Sequence, residues 1–272
     1  MGSFAFKDMP SVLSVAGSDS SGGAGIQADV KTIAAHHLFA QTAITAVTAQ
    51  NTLGVQMAVA LDPDLVEAQI DAVFQDIRPA AVKIGMLPTA QVVRAVACAL
   101  ERNGAQNLVV DPVMVATSGS SLASHEAVEA LRECLVPRSS VLTPNLHEAS
   151  VLSGISIKTA SQVQDAARTI LRMGPGAVLV KGGHLDDQPS RADDYLLFPD
   201  GRGVWVTGER ISNPNTHGTG CTLSSAIACG LARGLDVEHS VRNAKEYLTQ
   251  TLRAQLDLGR GSGPLDHLWM LP

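Results

Sequence analysis

The chain is poor in aromatic residues and has no run of basic ones. Phe, Trp and Tyr make up 3% of its 272 residues, so a ring-shaped ligand would have to pack against aliphatic side chains and backbone. The formal net charge is −6 and Lys and Arg do not cluster, which argues against nucleic acid as a partner. No apolar run is long enough to span a bilayer. The opening residues, 1–12, lack the apolar core of a signal peptide, and Gly2 is not followed by Ser or Thr at position 6. The cysteines Cys98, Cys134, Cys221 and Cys229 show no C-x-x-C spacing, so neither a zinc site nor a disulfide framework is expected. A reducing, cytoplasmic setting away from membranes is the expectation.

What is present is core-forming material. Hydrophobic residues make up 45% of the chain, and its length suits one large α/β domain, taken here as residues 1–272. Short apolar runs bounded by turn residues predict strands at 11–16, 43–49, 55–61, 81–86, 108–110, 140–143 and 177–180. Segments 194–198 and 203–207, separated by Pro199-Asp200-Gly201, read as a hairpin. Helical patterns fall between the strands: up to about His37, from Pro63, over 89–102 and 126–135, from about His147, and over 160–173. A last amphipathic helix at 236–256 carries Val237, Val241, Ala244, Leu248 and Leu252 on one stripe. Strands alternating with helices predict a twisted, mainly parallel sheet covered on both faces.

In such a sheet, ligands bind beyond the carboxyl ends of the strands. Asp19, Gln50, Met86, Asp111, Asn145, Lys181 and residues 218–221 all fall at strand ends or helix starts. The most informative stretch is 215–234, NTHGTGCTLSSAIACGLARG. Gly218-Thr219-Gly220 before a helix leaves backbone N–H groups open at the positive end of the helix dipole, a place for phosphate. Cys221 sits in the same turn, where a thiol is expected to lose its proton more easily than a free one. A plain tight turn with a cysteine as core filler would also account for this stretch.

Other candidates fit the same chemistry. The glycine-rich segment 17–25 is neither a P-loop nor a dinucleotide fingerprint, but it lets backbone approach a ligand. Asp111 and Glu148 could hold Mg²⁺, directly or through water, although Glu148 equally suits the first turn of a helix. Lys181 can neutralise phosphate as a point charge. The Gln50 amide can read the ring nitrogen and amino edge of a pyrimidine. His217, beside the phosphate turn, reads better as a turn-capping group than as an acting one. Together these parts suit phosphoryl transfer, which depends on positioning and charge neutralisation. Gly218, Thr219 and Gly220 would donate to the moving phosphoryl group, and Cys221 would take the hydroxyl proton.

At this level of detail the chain resembles the hydroxymethylpyrimidine/phosphomethylpyrimidine kinases of the ribokinase-like superfamily. The likeness runs from about Ser11 to His267 and rests on AGSDSSGGAGIQAD (16–29), TAQNTLGVQ (48–56), KIGML (83–87), VDPVMVATSG (110–119), LTPNLHEA (142–149), KGGHL (181–185) and NTHGTGCTLSSAIA (215–228). The resemblance implies ATP- and Mg²⁺-dependent phosphorylation of 4-amino-5-hydroxymethyl-2-methylpyrimidine, then of its monophosphate, in thiamine biosynthesis. It also implies a homodimer. It would place Gln50 on the pyrimidine with Gly17, Asp29, Met86 and Val113 around it, and Asp111 and Glu148 at Mg²⁺ and the phosphates. Lys181, Asn145 and Thr216 would meet ATP. Gly218 to Gly220 would form the anion hole, and Cys221 would stand where sugar kinases of the superfamily place an aspartate base. The chain departs from the common pattern at Ser20, at Thr117 and Ser120, and at Ser262.

Three other readings compete. A pyridoxal kinase would phosphorylate a hydroxymethyl group on a different nitrogen ring. A pyrimidine- or nucleotide-sensing module would bind without turnover. A hydrolase with Cys221 as nucleophile would want a histidine such as His217 as its base. The polar segment 182–191 is a candidate flap.

Overall fold

A computed structural model of the protein describes residues 9–115, 122–183 and 190–270. Its strands are β1 (Ser11–Asp19), β2 (Phe39–Asn51), β3 (Gly54–Ala60), β4 (Ala81–Ile84), β5 (Leu108–Val110), β6 (Val141–Leu142), β7 (Val178–Val180), β8 (Asp194–Leu197) and β9 (Gly203–Val206). Its α-helices are α1 (Gly25–Ala35), α2 (Pro63–Asp76), α3 (Ala90–Arg102), α4 (His125–Cys134), α5 (Leu146–Ser153), α6 (Ala160–Leu171), α7 (Thr219–Ala232) and α8 (Val237–Arg253). The strands form one nine-stranded sheet in the order β3-β2-β1-β4-β5-β6-β7-β8-β9. The run from β2 to β7 is parallel, while β3, β8 and β9 are antiparallel additions at the two edges.

Alternation along the strands divides the core. Leu13, Val15, Val82, Ile84 and Val110 face one side and pack with α2 to α6. Val12, Ala81, Val109, Val141 and Leu179 face the other and pack with α1, α7 and α8. The stripe expected on α8 holds: Val241, Ala244 and Leu248 are buried, with Val237 and Leu252 packed beside them.

The helix starts carry functional information. Asp62, Thr89, Ser124, Asn145, Thr159 and Asp236 cap α2, α3, α4, α5, α6 and α8 with a side-chain oxygen. Only α1 and α7 lack a side-chain cap among the described α-helices. Both begin at the carboxyl ends of the parallel strands, so the uncapped N–H groups lie where a ligand is expected.

β1 extends further than its apolar run suggests. Gly17 interrupts the hydrophobic pattern, yet Ser18 and Asp19 resume pairing with Val47 and Thr48 after a bulge. The pairing carries Asp19 to the rim, where its carboxylate accepts from the backbone of the glycine-rich segment 17–25.

Candidate active site

The uncapped starts of α1 and α7 open into one cleft of about 650 Å³. Gly17, Gln50, Met86, Asp111, Val113, Asn145, Glu148, Lys181, Thr216 and Gly218 to Cys221 all line it. Asp29 does not. The structure buries it completely behind the cleft, where its carboxylate accepts from Lys83 Nζ at 2.8 Å, Ser14 Oγ at 2.5 Å and Ser225 Oγ at 2.8 Å. The expectation that Asp29 surrounds a pyrimidine is corrected accordingly: Lys83 and two serines occupy its oxygens. The proposed flap, 182–191, and the departures at Thr117 and Ser120 lie wholly or mostly outside the described residues.

The α7 turn is built for close approach. Gly218 caps the helix at φ 89°, and a Cβ there would meet Gly23 O at 2.0 Å, so only glycine fits. A Cβ at Gly220 would lie 3.2 Å from Asp111 Oδ2 and 3.3 Å from Lys181 Nζ. The bare glycine therefore lets an ion pair sit against the helix start. Lys181 Nζ donates to Asp111 Oδ1 at 2.7 Å. The Thr219 N–H is spent in a turn bond to Thr216 O at 3.3 Å, while those of Gly218 and Gly220 have no partner among the described residues. Of the three expected donors, two are free.

The carboxylates sit in contrasting surroundings. Glu148 closes a capping box, accepting from Asn145 N at 2.8 Å while Asn145 Oδ1 accepts from Glu148 N at 2.9 Å. Burial pushes the Glu148 carboxyl up to about 7; Lys181 opposes this and Asp111 adds to it. Asp111 is also buried, and besides Lys181 it accepts from Thr143 Oγ1 at 3.2 Å. No cluster of three or more metal-ligating side chains occurs among the described residues. Two neighbouring carboxylates with one lysine nonetheless match a cation that keeps most of its waters, as Mg²⁺ does.

Cys221 corrects a sequence expectation. Burial pushes its thiol up to about 11, with Lys83 pulling the other way and Asp29 and Asp111 adding to the rise. Desolvation outweighs the helix dipole, so the side chain is a neutral thiol at neutral pH. Nor does His217 serve it as a base. The His217 ring turns to Asp19 Oδ2 at 2.8 Å and to the Gln50 side-chain amide at 3.1 Å, which removes the geometry a cysteine hydrolase needs. His217 is thus a link between two loops rather than a local turn cap.

Sequence reasoning placed Asp19 on the rim but missed what it holds. Asp19 takes Ser21 N, Gly23 N and Ala24 N as well as His217, which ties the first glycine loop to the α7 turn. The apolar side chains of Ile211, Leu248 and Leu252 also line the cleft. Nearby, Lys245 Nζ donates to Asp194 Oδ2 at 2.7 Å, and Asp194 Oδ1 accepts from Gly182 N at 3.0 Å. That pair anchors the backbone just after Lys181. Its one sequence signal was a lysine on the packing face of α8.

Comparison with known proteins agrees with this geometry. Residues 19–266 match the phosphomethylpyrimidine kinase family. A hydroxymethylpyrimidine/phosphomethylpyrimidine kinase of Haemophilus influenzae is 43% identical over 94% of this chain and 96% of its own. Among solved structures, an ADP complex of Bacillus subtilis pyridoxal kinase superposes with a TM-score of 0.87 at 36% identity, covering 96% of this chain and 98% of that one. A phosphomethylpyrimidine kinase of Clostridium difficile superposes with a TM-score of 0.78 at 41% identity, covering 88% and 98%. The chain belongs to the phosphomethylpyrimidine kinase family: it is a kinase with the ribokinase-like fold.

Proposed function

We propose that this kinase transfers the γ-phosphoryl group of ATP to 4-amino-5-hydroxymethyl-2-methylpyrimidine, and then phosphorylates the monophosphate, as a step of thiamine biosynthesis. The observation that carries the reading is the α7 turn, where the bare Gly220 lies against the Lys181–Asp111 pair within the cleft that Gln50 lines. The pyrimidine lies against Gln50, Gly17, Met86 and Val113, with its hydroxymethyl group toward Cys221. Lys181, Asn145 and Thr216 face the ATP phosphates, and the apolar side chains of Ile211, Leu248 and Leu252 suit the adenine ring. Asp111 and Glu148 would hold Mg²⁺, which supplies charge neutralisation on the phosphates.

In the first transfer the hydroxyl oxygen bonds to the γ-phosphorus as the bond to the ADP oxygen breaks. The N–H groups of Gly218 and Gly220 stabilise the charge on the moving group. The hydroxyl proton leaves late, because a loose transition state asks for little deprotonation beforehand, and Cys221 Sγ takes it as its own S–H proton passes to an oxygen of the transferred phosphoryl group. A neutral thiol can orient the hydroxyl until then. In the second transfer the acceptor is a phosphate that is largely ionised at neutral pH, so it needs no base. Cys221 therefore matters more for the first step than for the second.

Incubation with Mg-ATP and the hydroxymethylpyrimidine should yield monophosphate and then diphosphate, followed by chromatography. ATP binding without product would favour the sensing module. Pyridoxal kinase remains the second reading, because of the close superposition on the Bacillus subtilis enzyme.

The whole of residues 1–272 acts as one kinase domain in the cytoplasm, as a homodimer. Val47, Leu53, Met57 and Val59, exposed on the β2–β3 edge, support the dimer. A monomeric mass by light scattering at micromolar concentration would contradict it.

A further inference from the structure

The Asp19–His217–Gln50 chain contains a contact that its hydrogens cannot satisfy with the Gln50 nitrogen toward His217. His217 Nε2 lies 2.8 Å from Asp19 Oδ2 and 3.1 Å from Gln50 Nε2. Burial would raise the Asp19 carboxyl, but the bonds from His217, Ser21 and Ala24 outweigh it and hold it at about 2, so Asp19 is ionised at neutral pH. A carboxylate only accepts. The shared hydrogen therefore sits on His217 Nε2, which has no lone pair left for an amide N–H.

Thr48 settles the other side of the amide. Its hydroxyl lies 2.9 Å from Ser18 O and 3.3 Å from Gln50 Oε1, and its one hydrogen serves the nearer carbonyl. Thr48 Oγ1 is then free to accept. Half a turn of the Gln50 amide about its last bond brings Oε1 to the His217 N–H, as a second acceptor beside Asp19 Oδ2, and NH₂ to Thr48 Oγ1, so that no hydrogen faces another. One N–H and one lone pair remain on a side chain that lines the cleft.

We infer that His217, held by Asp19, fixes the order in which Gln50 presents donor and acceptor to the substrate ring, and so selects an aminopyrimidine against the oxo form of the same ring. The inference rests on the pyrimidine-kinase reading above. An amino ring offers a ring-nitrogen acceptor beside an N–H donor. The oxo ring offers an N–H donor beside a carbonyl acceptor, the reverse order. An amide free to turn serves both; a fixed one meets the oxo ring donor to donor and acceptor to acceptor. His217 is thus a positioning residue, acting through Gln50.

The test is the ratio of kcat/KM for the 4-amino substrate to that for its 4-oxo counterpart, with Mg-ATP. The wild-type ratio should be about 10² or more, since unpaired polar groups penalise the wrong ring. His217→Ala should lower it at least about tenfold by releasing the amide. His217→Gln, whose terminal NH₂ restores a donor, should keep the ratio near wild type. Thr48→Val removes the second restraint without touching His217 and should also lower it. An unchanged ratio in folded His217→Ala, or in Thr48→Val should His217→Ala fail to fold, overturns the inference and leaves the kinase reading standing. Absence of turnover of the amino substrate by the wild-type protein overturns that reading itself.

Discussion

Two lysine–aspartate pairs lie within electrostatic reach of Cys221, and they have opposite fates. Lys83 and Asp29 are both fully buried, and two serines complete the aspartate's shell. Lys181 and Asp111 are joined at a similar distance, 2.7 Å, but the lysine is 17% exposed and both residues line the cleft. The sealed pair has nothing left to offer a ligand. The open pair keeps N–H groups and lone pairs for one. The same two side-chain types are sealed into the core in one place and open to the cleft in the other, and the exposure of the lysine separates them.

The largest effect should come from breaking the sealed pair. Lys83→Met leaves Asp29 charged and unpaired in the core and should lower stability by about 3–5 kcal/mol in urea denaturation. Adding Asp29→Asn should recover much of this. A loss below about 1 kcal/mol for Lys83→Met would erase the distinction between the pairs.

Cys221→Ala should lower turnover of the hydroxymethyl substrate by about 10²–10⁴ while ATP binding persists in calorimetry. Phosphorylation of the monophosphate should fall less, because that acceptor needs no base. Equal losses in both steps would argue for a structural role of the thiol. Lys181→Gln should cost about 10²–10³ in turnover, the scale of one charge-stabilising donor, and less stability than Lys83→Met. A Lys181→Gln protein that melts like Lys83→Met yet keeps its rate would reverse the comparison.

The smallest effect concerns a buried group away from both pairs. Burial lowers His267 from 6.5 to about 4, with Lys31 adding to the shift. Between those values the unfolded chain holds a proton that the folded one does not, so stability contributed by neutral His267 falls as pH drops through that window. Glu148, pushed up to about 7, has the opposite slope, so the informative quantity is the difference between proteins. The melting temperature of His267→Gln should fall less than that of the wild type between pH 7 and pH 5.

The sheet was legible because central strands such as Leu108–Val110 and Val178–Val180 are short apolar runs between turn residues, while β2, 13 residues long and dotted with Gln and Thr, showed only its apolar middle, 43–49. Rim placement then brought Gln50, Asp111, Lys181 and the 218–221 turn into one cleft, as their strand-end positions implied. What escaped was pairing across the chain. Lys83 and Asp29 are 54 positions apart, and Asp19 and His217 are 198 apart. The only local trace of the first was a lysine inside the fully buried strand β4. Cys221 misled for a different reason: position at a helix start predicts a lowered thiol, but burial is a tertiary property that no turn motif encodes.

The most direct test of the central claim is a competition in one tube. Hydroxymethylpyrimidine and pyridoxal, at equal concentration with limiting Mg-ATP, report the ratio of the two kcat/KM values through their phosphorylated products. A pyrimidine kinase built around Gln50 should give predominantly pyrimidine monophosphate and diphosphate. A product mixture dominated by pyridoxal phosphate would contradict the account and make the second reading the right one.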